Sequence, residues 1–390
     1  MQIKNNILSL ADIEPWHEPV DGQLLLDDVV KVLRRFVVLP KYAAETLALW
    51  TLHTYAFELR DISTYLGVES PEKRCGKTTL LSVLSELAQN PVVAANISPP
   101  AFFRLIEETR PTLLIDEADT LLKGNDELRG ILNAGYTRRT AYVVRVGQGT
   151  AAGEQPAEDA PGEAGTTSRL ARFSCWCPKV MAAIGRLPDT LSDRCIVIRM
   201  QRRTRLESCE RLRNLDGTTI RRQCLRFVLD HQEEIQAATP AIPEQLNDRA
   251  GDVWEPLLAL ADIAGAHWPA QAREAAMRLG EVAQEQNPIG SLLLDIFCVL
   301  IVTKQDRILS RALVEGLAGY ADRPWGELLR GRPVTELWIA QQLRPYGIRP
   351  RLFRLEGQRA RGYFREDMMD AFQRYIPKSE VQRLVEEAGE

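Results

Sequence analysis

An α/β fold on a mostly parallel sheet is what this sequence predicts, and three observations predict it. The stretch Ser70–Thr79 (SPEKRCGKTT) follows a short apolar run, Ile62 to Val68, and opens a helix-like one, Leu80 to Leu84. The run Pro111 to Ile115 is a buried-type strand ending in the adjacent carboxylates Asp116 and Glu117. Around them, strand-like and helix-like segments alternate. Such alternation implies a parallel sheet covered on both faces, with any ligand at the carboxyl ends of the strands.

Taken in order, residues 1 to about 24 carry Pro15 and Pro19 and read as an irregular arm. From Leu24 to Leu59 apolar residues recur at helical spacing with a break at Leu39-Pro40, which predicts two helices. The helix after the first loop runs to Gln89, a strand follows at Val92 to Ala95, and a helix capped by Ser98 covers about Pro99 to Glu108. After the acidic strand, Asn125 to Gly135 reads as a helix and Ala141 to Val146 alternates like a strand. Residues 147–168 are rich in Gly, Ala, Pro and Glu without apolar periodicity, and are expected to be a disordered loop. Strand character resumes at Arg172 to Cys177, and Ile196-Val197-Ile198 reads as the last core strand.

The chemistry of the first loop follows from its residue types. Backbone N–H groups of a tight turn, with the positive end of the following helix, make a site for anionic oxygens. Residues Pro71, Glu72, Lys73, Arg74, Cys75, Gly76, Lys77, Thr78 and Thr79 are therefore expected to bind the phosphates of ATP. In that reading Lys77 reaches the β- and γ-phosphates and Thr78 shares Mg²⁺ with Asp116, while Glu117 polarises the attacking water. Pro71 stands where the general G-x-x-x-x-G-K-[ST] pattern has glycine, and Arg74 where many such loops carry a second one. A plain basic turn and a solvated acidic turn are the bland alternatives, and it is the co-occurrence of both stretches in this order that opposes them.

Lys77 and Asp116 stand only 39 positions apart, with one strand between the two motifs in sequence and a further strand to follow. That is the arrangement of the additional-strand ATPases, which include AAA+ proteins and viral-type replicative helicases. Several AAA+ helicases carry a nucleic-acid-contacting hairpin where this chain has the strands around 141–146 and 172–177, so Arg138, Arg139 and Arg145 are candidate contacts; the alternative is a solvated basic face. Arg194, just before the last core strand, stands where oligomeric AAA+ ATPases project an arginine into the neighbouring subunit's γ-phosphate. A local pair with Asp189 or Asp193 is the structural alternative. The strand ending Cys177-Pro178-Lys179 lacks the usual polar tip residue, for which Lys179 is the substitute.

Composition bounds the rest. At 390 residues two or three compact units are expected, and 45% hydrophobic with 26% charged residues is ordinary for a globular protein. No apolar run approaches the roughly 20 residues of a membrane span or resembles a signal peptide, so a cytoplasmic location without membrane contact is expected. The seven cysteines follow no disulfide or zinc pattern. Cys75, at a helix N-terminus beside Arg74 and Lys77, is the thiol expected to have a lowered pKa and to react with alkylating agents.

The expected domains are an N-terminal arm with helices (1–60), a P-loop ATPase core (61–204), a helical lid (205–289) and a winged-helix-like unit (290–390). In the last, Leu292 to Ile301 and Thr335 to Leu343 read as helices, and Arg349 to Leu355 with Arg361 to Phe364 as a hairpin. From Arg323 to Arg365 ten arginines face three glutamates, although the whole chain carries a net charge of −4. This local excess is the footprint of a phosphate-binding surface, and Arg349, Arg351, Arg359 and Arg361 are its candidates, expected to face outward together on the wing.

The runs SPEKRCGKT, PTLLIDEAD, ILNAG and RLPDTLSDRCIVIRMQRR, with DRAGDVWEPLLALADIAG, PWGEL and GYF, resemble a family of phage and prophage P-loop proteins catalogued as domain of unknown function 3631. The resemblance runs from about residue 24 to 376. Members occur in mobile elements, some fused to primase-like domains, which implies an AAA+-like replicative helicase or related motor, acting on DNA as a ring-shaped homo-oligomer. The other class is an ATP-gated DNA-binding regulator or defence ATPase that does not unwind.

Overall fold

A computed structural model describes residues 13–94, 97–147, 169–284, 288–303, 305–320, 323–329, 331–355 and 358–376. Most of the 147–168 segment expected to be disordered, and the first half of the N-terminal arm, lie outside these residues. The chain divides into two compact units, one ending at Gly280 and the other beginning at Glu281.

In the first unit, α1 (Gly22–Phe36) starts where the Asp21 carboxylate accepts the Leu24 N–H at 3.0 Å. Its Leu25, Leu26, Val29, Leu33 and Phe36 recur at helical spacing and are all buried. In α2 (Ala43–Ala56) every residue is buried. A helix covered on all sides must satisfy most of its polar groups within the protein: Thr46 and Thr51 donate to the carbonyls of Tyr42 and Leu47, Glu45 pairs with Arg34, and His53 Nε2 accepts the Thr64 N–H at 3.1 Å, while Glu45 Oε2 and His53 Nδ1 are left without a partner among the described residues.

The strands are β1 (Tyr65–Ser70), β2 (Pro91–Ala94), β3 (Thr112–Ile115), the antiparallel pair β4 (Tyr142–Gly147) and β5 (Arg169–Ser174), then β6 (Lys179–Ile184) and β7 (Cys195–Arg199). Among them run α3 (Lys77–Leu87), α4 (Pro99–Thr109), α5 (Ala118–Leu122), α6 (Asp126–Ala134) and α7 (Asp189–Ser192). Helices α8 (Thr218–Asp230), α9 (Gln232–Ala237), α10 (Asp248–Ala264) and α11 (Trp268–Gln284) follow. Five strands form one parallel sheet in the order β2-β3-β6-β1-β7. Parallel neighbours need long crossovers, so helices cover both faces.

Alternate residues of β1, β3 and β6 enter two separate cores. Leu66, Val68, Leu114, Val180, Ala182, Ile196 and Ile198 share one with α1, α2, α3, α8, α10 and α11. Tyr65, Leu113, Ile115, Met181 and Ala183 share the other with α4 and α6. The N-terminal and post-sheet helices thus join the same core as the sheet, within one unit. Strand β6 corrects one expectation. The Cys175-Trp176-Cys177 run is not a core strand; the buried run Lys179–Ile184 is, because continuous apolar character suits a strand enclosed on both faces.

The second unit orders α12 (Pro288–Thr303), β8 (Arg307–Leu309), α13 (Ser310–Ala318), α14 (Glu336–Leu343), β9 (Arg351–Leu355), β10 (Gln358–Phe364) and α15 (Arg365–Tyr375). Its antiparallel sheet runs β8-β10-β9. The core gathers Leu292, Ile296, Leu313, Ile339, Tyr363 and Phe372 around Trp325, whose Nε1 donates to the buried Asp295 at 2.6 Å. No helix among the described residues is long and apolar enough to cross a membrane.

His53 generates a pH prediction. Burial, and after it the Arg60 charge, lower its pKa from 6.5 to about 3. The folded-state value is depressed, so the unfolded chain takes up the proton first and stability is lost as pH falls below 6.5. The expected loss is about 1.4 kcal/mol per pH unit between those limits. Unfolding free energies from urea titrations at pH 6.5 and 5 should differ by roughly 1.5–2 kcal/mol from this group, and His53→Gln should remove this part of the slope; an unchanged slope in the variant would refute the assignment.

Candidate functional site

Because the five strands are parallel, the segments leaving β1, β3, β6 and β7 emerge along one edge of the sheet. The first of these, residues 71–76, turns directly into α3. Gly76 is the residue before the helix, with φ 90°, and Arg74 holds a left-handed φ of 69°. The turn is pinned from inside: the Ser70 hydroxyl donates to the Glu72 carbonyl at 2.8 Å and the Cys75 thiol reaches the same oxygen at 3.3 Å. Cys75 is therefore a buried part of the turn and not the exposed thiol that alkylation requires.

Lys77 is the first residue of α3 and is buried, its ammonium bonded to the Ser70 hydroxyl. No carboxylate among the described residues makes an ion pair with it. A buried cation held only by a neutral hydroxyl at a helix N-terminus is electrostatically short of an anion. Next to it, the Thr78 hydroxyl donates to Asp116 Oδ2 at 3.0 Å. Asp116, just past β3, accepts the Glu117 N–H on its other oxygen at 2.9 Å. Glu117 is exposed and left-handed (φ 53°, ψ 41°), so the backbone leaves the strand direction at this residue. Thr79 is half-buried, and Pro71, Glu72 and Lys73 are exposed. Hydroxyl and carboxylate oxygens are the hard donors that Mg²⁺ prefers, so the pair Thr78 and Asp116 fits that ion.

Strand β6 lies between β1 and β3, and its carboxyl end is locked to the site. Gly185 N–H donates to the Ser70 carbonyl at 2.8 Å, and Asp119 accepts the Ile184 N–H at 3.0 Å. The residue at this tip is Arg186, exposed beyond Gly185. Lys179 is at the opposite end of β6, fully buried, donating to the Cys175 and Cys177 carbonyls at 2.9 Å each. It cannot serve at the tip. The missing signal was where β6 begins, which a single sequence leaves open between 172 and 184.

The other arginines divide by their partners. Arg194 donates to the Thr190 carbonyl and lies over the Tyr136 ring at 5.2 Å, while Asp193 pairs with Arg249 at 3.4 Å. Arg138 donates to the Glu58 carbonyl and covers Trp176, Arg145 pairs with Glu127 and covers Phe103, and Arg139 is exposed. On β9 and β10 the register pairs Arg354 with Arg359 and Leu352 with Arg361, so Arg354, Arg359 and Arg361 share one exposed face. Arg351 pairs with Gly362 and belongs to the other face, tied to Asp367 at 2.8 Å and stacked on Phe364 at 4.6 Å. Arg349 is exposed just before β9. The outward set expected on the wing is thus corrected: Arg351 leaves it and Arg354 enters it.

Comparison with known proteins covers parts of this picture. A family model described as "Protein of unknown function (DUF3631)" matches residues 199–375, which excludes both motif segments. A Saccharopolyspora erythraea protein named "Uncharacterized 28.9 kDa protein in xis 5'region" is 30% identical over 163 residues, 41% of this chain. The chain spans 60% of the length of that relative. Among solved structures, the apo C-terminal region of NrS-1 is similar over 90% of this chain and 77% of its own, at 12% identity and a TM-score of 0.41. The structure titled "SCCmec type IV Cch - active helicase" is similar over 90% and 69%, at 11% identity and a TM-score of 0.38. At these scores neither likeness decides a function.

The backbone of the turn yields a stability prediction. A side chain in the left-handed region costs roughly 1–2 kcal/mol, so Arg74→Gly should be neutral or stabilising by up to about 1 kcal/mol after the entropy of glycine is counted. Gly76→Ala should destabilise by at least about 1 kcal/mol, because it combines φ 90° with a Cβ only 3.3 Å from Met200 Cε. Urea unfolding of the two variants should shift in opposite senses or, at the least, differ by that amount.

Proposed function

We propose that the carboxyl edge of the five-stranded sheet binds and hydrolyses ATP with Mg²⁺, and that the chain is an AAA+-like motor of the replicative-helicase type acting on DNA. The observation that carries the nucleotide reading is the buried Lys77 ammonium, without a carboxylate partner among the described residues, 1 residue from a threonine hydroxyl that donates to Asp116. The strand order supports it, since β6 stands between the loop-bearing β1 and the acidic β3.

In this reading Lys77 exchanges the Ser70 hydroxyl for phosphate oxygens, and Thr78 and Asp116 hold Mg²⁺, which neutralises phosphate charge when bound. Glu117, exposed at the end of β3, orients and deprotonates the attacking water. Arg186 takes the place at the tip of β6 that Lys179 cannot fill, and Arg194 would have to leave Thr190 to serve a neighbouring subunit in a ring. DNA binding is supported by the joint exposure of Arg354, Arg359 and Arg361 and by the helix, strand, helix, helix, hairpin order of the second unit, which suits a winged helix.

Lys77→Ala is expected to lose ATP binding, and Glu117→Gln to keep it while turnover falls by roughly 10²–10⁴, the contribution of a general base. Equal ATP affinity in wild type and Lys77→Ala would exclude the assignment. A strand-displacement assay then separates a motor from an ATP-gated DNA binder, since only the motor couples turnover to unwinding.

For the wing, replacing Arg354, Arg359 and Arg361 by Ala should weaken binding to all duplex sequences alike. The log K against log salt slope should flatten by up to about 0.9 for each phosphate that the protein no longer neutralises. Arg351→Ala, which breaks an internal pair, should instead leave the slope unchanged. A triple variant with wild-type affinity and slope would move the DNA surface away from this face.

A further inference from the structure

We propose that Arg202 is a positioning residue of the phosphate loop: by neutralising Glu72 it sets the loop's affinity for the nucleotide's phosphates. The inference rests on the nucleotide reading of residues 71–79. Its starting point is an anomaly of that loop, which places a carboxylate, Glu72, in the turn that should receive a polyanion. The main chain of Glu72 is fixed, since its carbonyl accepts from Ser70 and Cys75. Its side chain lies in solvent, where Arg202 Nε stands 3.2 Å from Oε1.

Arg202 is brought there by the irregular segment that leaves β7 and runs to α8. The Met200 N–H donates to the Glu69 carbonyl at 2.8 Å, and Met200 is fully buried with its methyl group against Gly76. Arg199 pairs with the buried Glu69 at 3.5 Å. The same offset that pairs 69 with 199 therefore pairs 72 with 202, and the second pair sits on the loop. Both of its side chains are half exposed, 54% and 53%. An ion pair so exposed contributes little to stability. Its consequence is for an incoming anion: at physiological salt, charges within about 8 Å still act on one another, so an unpaired Glu72 would repel phosphate from its own binding turn.

The test uses the full chain and the binding of ATP with Mg²⁺, measured by equilibrium titration at low and high salt. Arg202→Ala should weaken binding about tenfold at low salt, as expected for exposing one negative charge to a polyanion at this range in a largely aqueous medium. Arg202→Lys should recover most of the loss. Glu72→Gln alone should bind at least as tightly as wild type, and Arg202→Ala combined with Glu72→Gln should return to near wild-type affinity. The differences should shrink at high salt, while the thermal midpoints of all variants stay together. The positioning role of Arg202 is overturned if Arg202→Ala binds like wild type, or if the double variant stays as weak as Arg202→Ala, since Arg202 would then act without Glu72. A folded wild type that binds no ATP would instead remove the nucleotide reading of the loop, and this role with it.

Discussion

Everything at the carboxyl edge of the sheet depends on β1 being paired in parallel on both sides. Its register sets Ser70 against Ile184 of β6 and Glu69 against Arg199 of β7, so three chain segments leave the sheet at the same height. The turn of residues 71–76, the Gly185-Arg186 corner and the segment from Met200 are neighbours for that reason alone. Burial on both faces holds the register in place, because a slip by one residue would exchange the side chains of β1 between two differently filled cores.

Glu69 shows how a buried polar group can tie such a junction together. Near the end of β1, it accepts the Leu187 N–H at 2.9 Å, meets Arg199, and through its carbonyl accepts the Met200 N–H. One residue thus binds the segments after β6 and β7 to β1. A buried carboxylate is tolerated only when its oxygens are paired, and these are. Lys77 differs in kind, since its hydroxyl partner leaves most of a full charge uncompensated.

The arginines illustrate why composition is a poor guide to surface chemistry. Arg138, Arg145 and Arg351 count as positive charge in any sequence window, yet each is stacked on an aromatic ring and bonded within the fold. On the hairpin of β4 and β5 the exposed face carries Tyr142, Val144, Val146 and Leu170, with Arg172 over the Tyr142 ring at 3.5 Å, and the basic residue Arg145 lies on the other side. In the second unit, the exposed Arg354, Arg359 and Arg361 fall on alternate positions of β9 and β10, where antiparallel pairing brings Arg354 and Arg359 opposite one another.

By itself the sequence determined what depends on neighbours within a few residues: the two N-terminal helices, the turn into α3, the acidic end of β3 and the helix at α6. Their signals are helical spacing, a Gly-Lys-Thr turn and a short apolar run, all of them local. Tertiary structure alone decided which of two adjacent runs became β6, which end of it Lys179 occupies, which arginines of β9 and β10 share a face, and that Arg202 meets Glu72 across 130 positions of chain. Each of these is a matter of register or of strand order. The energy that sets them comes from filling cores with residues distant in sequence, and no short window of the chain contains both sides of such a contact.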